Sequence, residues 1–314
     1  MLWTLGVLAV FLTVGGFYLY STLSTNGPRL ISAADRVISG DRGAAELASI
    51  TTGPHPAQKL HVWGPVNRNP DDAALPVLLF AHGGGWRSGD PDGYGFLARS
   101  FVPKGFIVVL SGYRLGEDGI YPGMLEDTAN AIAWTHEEIA FYGGDPDRIV
   151  IAGHSAGAYN VVHIALEEQW LGRRGLSTSD ISGVVGMAGP YDFAPFDSDS
   201  TIAAFGHVED AASTQPINFV REDAPQMLLV HGEKDTLVRA RNSRLLAELL
   251  NEAGANALTA IEPEMDHNGP LIALATAFRG DSDLVEVISA FAYSVTAPDD
   301  LAAETSVPVQ AETR

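Results

Sequence analysis

The sequence predicts an α/β domain with a mostly parallel central sheet flanked by helices and a small cap insertion. Three observations carry this. Short apolar runs recur at Val77–Ala81, Phe106–Leu110, Ile149–Gly153, Val184–Met187 and Met227–Val230, each closed by Gly, His or a polar residue. Helical patterns separate them at Leu125–Phe141, Ala156–Trp170 and Ala240–Glu252, and strands alternating with helices make a parallel sheet covered on both faces. The chain has 314 residues, 46% apolar and 18% charged, which suffices for one large buried core.

Taken in order, the chain begins with a stretch, Leu2 to Tyr20, that holds no charged residue. Nineteen residues at ~1.5 Å rise span about 28 Å, near the thickness of a bilayer core. Trp3, Tyr18 and Tyr20 stand at its ends, where aromatic rings favour the interface. A retained anchor, a cleaved signal segment and a buried helix are all compatible with this stretch. Arg29, Arg36 and Arg42 follow it and favour a cytoplasmic α/β domain, against interspersed Asp35, Asp41 and Glu46. We assign 1–22 to the anchor or signal segment and 23–56 to a linker with some helical spacing at Ala34, Val37 and Ile38. The α/β domain is expected over 57–296, with an edge strand at Lys59–Trp63 and a last strand at Ala257–Ile261. The stretch 190–225 has no clean strand or core helix and is expected to be a small cap. The tail from 297 is polar and acidic, with the composition of a disordered segment.

Composition narrows the partners. A net charge of -20 and only three lysines, Lys59, Lys104 and Lys234, argue against nucleic acid, which needs clustered positive charge. With no cysteine, disulfides, thiolate metal ligands and a thiol nucleophile are excluded.

Gly153-His154-Ser155-Ala156-Gly157 directly follows one strand and opens a helix. A nucleophilic serine needs such a sharp turn so that its Oγ clears the sheet, with glycine two before and two after, where neighbouring backbone crowds in. The N–H of Ala156 then points to where an oxyanion develops. His82-Gly83-Gly84-Gly85-Trp86 follows the strand Val77–Ala81. Three glycines let the backbone turn its N–H groups toward a ligand, so this loop can supply the other oxyanion donors. His231-Gly232-Glu233-Lys234-Asp235 follows the strand Met227–Val230. A carboxylate there can orient a catalytic imidazole; Asp235 lies further out on the loop, and Glu233 is the alternative. Only His267 lies beyond Asp235, on a loop between a strand and a helix, which makes it the base. His82 and His154 are expected to brace the glycine motifs; His55, His61 and His231 are read as structural, His136 and His163 lie in helices and His207 lies in the cap. Trp86, Tyr113 and Tyr159 are the candidates for the substrate pocket, and Trp86 serves equally well as packing for its loop.

With HGGGW, YRL at Tyr113–Leu115, DPDRI at Asp145–Ile149, GHSAGA and HGEKD in order and spacing, the chain resembles the hormone-sensitive-lipase-like carboxylesterases, the HGGG branch of the α/β-hydrolases, from about Pro76 to Phe291. The resemblance implies an α/β-hydrolase fold, a Ser155–His267–Asp235 triad and oxyanion donors at the N–H groups of Gly84, Gly85 and Ala156. The chain departs from that family at Gly112, where an acidic residue is common, at Gly116-Glu117-Asp118 after YRL, and in its N-terminal cap. It is also similar to bacterial kynurenine-formamidase-like hydrolases, so the expected reaction is hydrolysis of a small short-chain or aryl ester, or of an N-formyl amide by the same triad. No metal or organic cofactor is implied. A non-catalytic binding module would be expected to have lost part of the triad, and every member is present here.

Overall fold

The apolar runs pair into one sheet. In the computed structural model, which describes residues 27–69 and 71–297, the strands are β1 (Ala44–Thr51), β2 (Lys59–Pro65), β3 (Leu75–Ala81), β4 (Ile107–Ser111), β5 (Gly144–His154), β6 (Gly183–Met187), β7 (Met227–Gly232) and β8 (Ala257–Glu262). Their order across the sheet is β1-β2-β4-β3-β5-β6-β7-β8. β2 is antiparallel to both of its neighbours, and the pairs from β4 to β8 are parallel.

Side-chain alternation divides each central strand between two cores. Val77 and Leu79 of β3 join Met227 and Leu229 of β7 in one cluster. That cluster is covered by α3 (Gly123–Glu138), α4 (Ala156–Leu166) and α7 (Arg241–Glu252). Leu78, Phe80, Leu228 and Val230 face the other way, under α2 (Gly95–Phe101) and α9 (Leu284–Thr296). Burial on both faces explains why these strands read as continuous Val/Leu/Ile runs; each such side chain contributes about 1.5–3 kcal/mol. Residues 190–225, the predicted cap, lie between β6 and β7 and contain a short helix, Asp199–Phe205. Its N-cap Ser198 exchanges hydrogen bonds with Thr201.

The segment read as linker is part of the body. β1 pairs with β2 over its whole length, with a bulge between Glu46 and Ala48. Its Ala-rich sequence, Ala-Ala-Glu-Leu-Ala-Ser-Ile-Thr, has weak strand propensity, and only the pairing partner makes it a strand. Residues 27–39 are helical, and Asp35 on that helix is fully buried. Asp35 accepts from Arg99 Nε at 2.9 Å and from the backbone N–H of Ala277 at 2.9 Å. Stranding either member of a buried ion pair costs about 3–5 kcal/mol, so the helix is tied to the sheet. The pattern Ala156–Trp170 is also interrupted. α4 stops at Leu166, and Glu167 turns extended so that its carboxylate accepts from His163 Nε2 at 2.8 Å and Trp170 Nε1 at 2.7 Å.

Among the described residues no helix is long and apolar enough to cross a membrane. The predicted anchor, residues 2–20, and the predicted acidic tail beyond residue 297 lie outside the described residues.

Candidate active site

The candidate loops leave the carboxyl ends of the parallel strands, and register brings those ends level: Ala81 lies opposite Gly153, and His154 opposite Met187. At the end of β5 the chain turns through Ser155 with φ +53° and ψ -118°, a strained conformation for any residue with a side chain. The turn is possible because of its two glycines. A Cβ on Gly153 would stand 2.3 Å from the carbonyl oxygen of Gly157, and one on Gly157 2.1 Å from that of Ala81. Ser155 N–H donates to Met187 O at 2.8 Å, and α4 begins at the next residue.

Two further loops converge on this serine. His267, between β8 and α8 (Gly269–Ile272), places Nε2 2.9 Å from Ser155 Oγ. Its Nδ1 lies 2.7 Å from Asp235 Oδ2. The carboxylate can only accept, so the proton sits on Nδ1 and Nε2 is free to take the serine proton. Asp235 occupies the turn after β7, and its Oδ1 accepts the N–H groups of Leu237 at 2.9 Å and Val238 at 2.8 Å. Burial by itself raises the Asp235 carboxyl; hydrogen bonds from His231 and His267, the charge of His267 and the Val238 N–H override it and hold the group well below the usual carboxylate range. Glu233, the alternative acid, is exposed and pairs with Arg244.

Gly84 and Gly85 have φ of +123° and +59°, and a Cβ on Gly84 would stand 1.9 Å from Ser88 O. Among the described residues nothing accepts the N–H of either glycine. Ala156 N–H, at the first position of α4, likewise has no partner within its helix. A Cβ on Gly83 would lie 3.2 Å from Ser155 Cβ, so the glycine loop runs directly beside the serine.

His154 and His82 hold these loops together. His154 Nε2–H donates to the carbonyl of His267 at 2.9 Å. Burial, reinforced by the neighbouring His267, pushes its imidazole down to about 3. His82 Nδ1–H donates to Gly83 O at 2.8 Å, its ring stacks on Tyr113 at 4.6 Å, and burial pushes it down to about 4. Both rings are therefore neutral at working pH.

The three pocket candidates, Trp86, Tyr113 and Tyr159, are all buried. Tyr113 and Tyr159 have no exposed surface, and their hydroxyls are used on backbone carbonyls, His82 O at 2.8 Å and Thr214 O at 2.9 Å. Trp86 is 3% exposed, with its indole N–H 3.2 Å from Asn160 Oδ1. All three have their polar ends paired, as burying a phenol or indole requires. The half-buried aromatics beside them are Phe193 and Phe196 of the cap, which pack on Trp86 and Phe205. The sequence showed them only as apolar residues in an irregular stretch. It also left His231 as structural, although its ring reaches Asp235 Oδ2 at 3.2 Å.

The BD-FAE family profile matches residues 66–250. Esterase LipQ of Mycobacterium tuberculosis is 31% identical over 248 residues, covering 72% of this chain and 58% of LipQ. A probable isoprenylcysteine alpha-carbonyl methylesterase, ICMEL1 of Oryza sativa subsp. japonica, is 26% identical over 288 residues, covering 83% of this chain and 65% of that protein. The chain thus spans about three fifths of the length of these curated relatives. Among solved structures, Esterase B from Lactobacillus Rhamnosis superposes with a TM-score of 0.72 at 17% identity, covering 94% of this chain and 98% of that one, a likeness of fold. Sheet order, glycine elbow and a profile match over more than half its length agree, and the chain belongs to the BD-FAE family, on an α/β-hydrolase fold.

Proposed function

We propose that the protein is a serine carboxylesterase in which Ser155 is the nucleophile, His267 the general base and acid, and Asp235 the group that orients the imidazole. One observation carries this reading: the unbroken hydrogen-bond chain Ser155 Oγ to His267 Nε2 at 2.9 Å and His267 Nδ1 to Asp235 Oδ2 at 2.7 Å. Ser155 Oγ attacks the ester carbonyl as His267 Nε2 takes its proton. Negative charge develops on the carbonyl oxygen and is met by the N–H groups of Gly84, Gly85 and Ala156. The imidazolium, stabilised by ionised Asp235, returns the proton to the leaving alcohol. Water activated by the same imidazole then releases the acid from the acyl-enzyme. The half-buried Phe193 and Phe196 favour a small acyl or aryl group over a long lipid chain.

Support from relatives is consistent: the chain is similar to curated proteins named as esterases, LipQ and LipC of Mycobacterium tuberculosis among them. Membrane attachment through residues 2–20, or release outside the membrane by cleavage there, belongs to the same proposal and is supported by nineteen residues without a charge.

Ser155→Ala assayed on short p-nitrophenyl esters is the direct test. Turnover falls by about 10⁶ if the serine is the nucleophile; undiminished turnover removes the proposal. Fluorophosphonate labelling of fractionated cells reports both the nucleophile and whether the protein sediments with membranes.

A further inference from the structure

The acid of the site is held from two sides. Asp235 Oδ2 lies 2.7 Å from His267 Nδ1 and 3.2 Å from His231 Nε2. His231 Nε2 is also 2.7 Å from the carbonyl oxygen of Val238, which can only accept. The proton therefore sits on Nε2 and is shared between that carbonyl and the carboxylate. Nδ1 is left bare and accepts the hydroxyl proton of Ser243 at 2.8 Å. Neither His231 nor Ser243 has any exposed surface. A continuous chain results, Ser155–His267–Asp235–His231–Ser243, with a serine and an imidazole on each side of one carboxylate.

We propose that His231 is a positioning residue of this site: it holds Asp235 Oδ2 together with His267, so the carboxylate stays aligned with the base throughout the reaction. Four donors then surround Asp235, the N–H groups of Leu237 and Val238 on one oxygen and the two imidazoles on the other. A carboxylate saturated in this way cannot swing about its Cβ–Cγ bond without breaking a buried hydrogen bond. Sharing Oδ2 also moderates how strongly it attracts the His267 proton. The spacing His-Gly-x-x-Asp makes this possible. Gly232 lets the strand end pass under the His267 loop, where a Cβ would stand 2.3 Å from Met265 O. Other charged or titratable groups face the pair: His154 from β5, with its ring centroid 5.0 Å from that of His267; Asp266 on the His267 loop; and Glu233, Arg239, Arg241 and Arg244 around the cavity on the outer side of Asp235.

This inference rests on the esterase reading, and its test separates the two. In the full chain, His231→Leu keeps the volume and removes the donor, whereas His231→Gln keeps an N–H near the Nε2 position. Each is assayed for kcat and KM on a short p-nitrophenyl ester across pH. The downfield proton NMR signal of the His267 Nδ1–H reports the Asp235 bond without turnover. For His231→Leu, kcat falls about 10–100-fold with KM unchanged. The acid limb of kcat/KM moves to higher pH, since an unshared Oδ2 stabilises the imidazolium more, and the NMR signal shifts. His231→Gln recovers most of the rate. If His231→Leu does not fold, Ser243→Ala decides, because losing the bond that fixes the ring produces the same changes at smaller size. Parental rate, pH profile and NMR signal in folded His231→Leu, or in Ser243→Ala where that variant decides, overturn the proposal. A parent protein that hydrolyses no ester overturns the esterase reading alone, and the NMR shift still decides the role of His231.

Discussion

Two regions border the glycine loop, and they are fixed by different means. At the elbow, backbone meets backbone: Gly153 faces the carbonyl of Gly157, and Gly157 faces that of Ala81, with no room for a Cβ at either. At the base of the cap, side chains meet backbone. Asn242 Oδ1 accepts the N–H groups of Tyr191 and Asp192, both at 2.9 Å. Gln215 Oε1 accepts those of Phe193 at 2.7 Å and Ala194 at 3.1 Å. Backbone crowding dictates a residue type, so the elbow is written as glycine at fixed spacing. A side-chain amide can arrive from any element that passes nearby, so nothing local announces the cap. The elbow is constrained by backbone sterics, whereas the stretch 190–225 is held at its base by exchangeable polar clamps.

The sharpest break in this comparison comes from Gly157→Ala. Its Cβ overlaps a carbonyl that belongs to β3, so either the sheet or the elbow must move. We expect ester turnover to fall by at least about 10²–10³, the cost of a misplaced oxyanion donor, and the thermal midpoint to drop as well. Ala at this position with parental turnover contradicts the steric account.

Acid comes next, and it strikes the elbow and glycine loop rather than the cap. In the folded protein His154 and His82 are pushed down to about 3 and about 4 from an ordinary value of 6.5. The unfolded chain therefore takes up protons first. Stability is intact above pH 6.5 and is lost as pH falls toward the folded values, by up to about 1.4 kcal/mol per pH unit for each imidazole. Urea titrations from pH 7 to 4.5 measure this slope, and His154→Gln should flatten it. A slope identical in parent and variant means that His154 is not buried neutral.

The smallest effect belongs to the cap. Gln215→Leu orphans two backbone N–H groups at about 1–3 kcal/mol each before relaxation, and loosens Phe193 against Trp86. We expect modest destabilisation, altered KM and altered preference among acyl groups, with kcat on the smallest ester retained. A drop in kcat equal to that of Gly157→Ala would erase the distinction between the two regions.

The same distinction separates what could be read early from what could not. The strand runs from Val77 to Ile261, the elbow and the glycine loop are local patterns, set by alternation of apolar residues and by glycine where φ is positive or a neighbour's backbone intrudes. Asp235 and His267 follow from chain order once the serine is placed, and the structure brings both within hydrogen-bond reach of the same chain. Membership of β1 in the sheet was not legible, because Ala44–Thr51 becomes a strand only through its pairing with Lys59–Pro65. Nor was the direction faced by Tyr113, Tyr159 and Trp86. Each sits next to a motif, but its hydroxyl or indole finds a partner on His82, Thr214 or Asn160 and turns inward.

Sequence alone therefore determined the sheet's central strands, the serine's turn and the residue types around it, because those depend on sterics within a few residues. Tertiary structure decided that residues 27–51 belong to the body, that Tyr113, Tyr159 and Trp86 turn their polar ends inward, and that His231 meets Asp235. Each of these depends on a hydrogen bond or ion pair whose energy exists only once burial has excluded water from both partners.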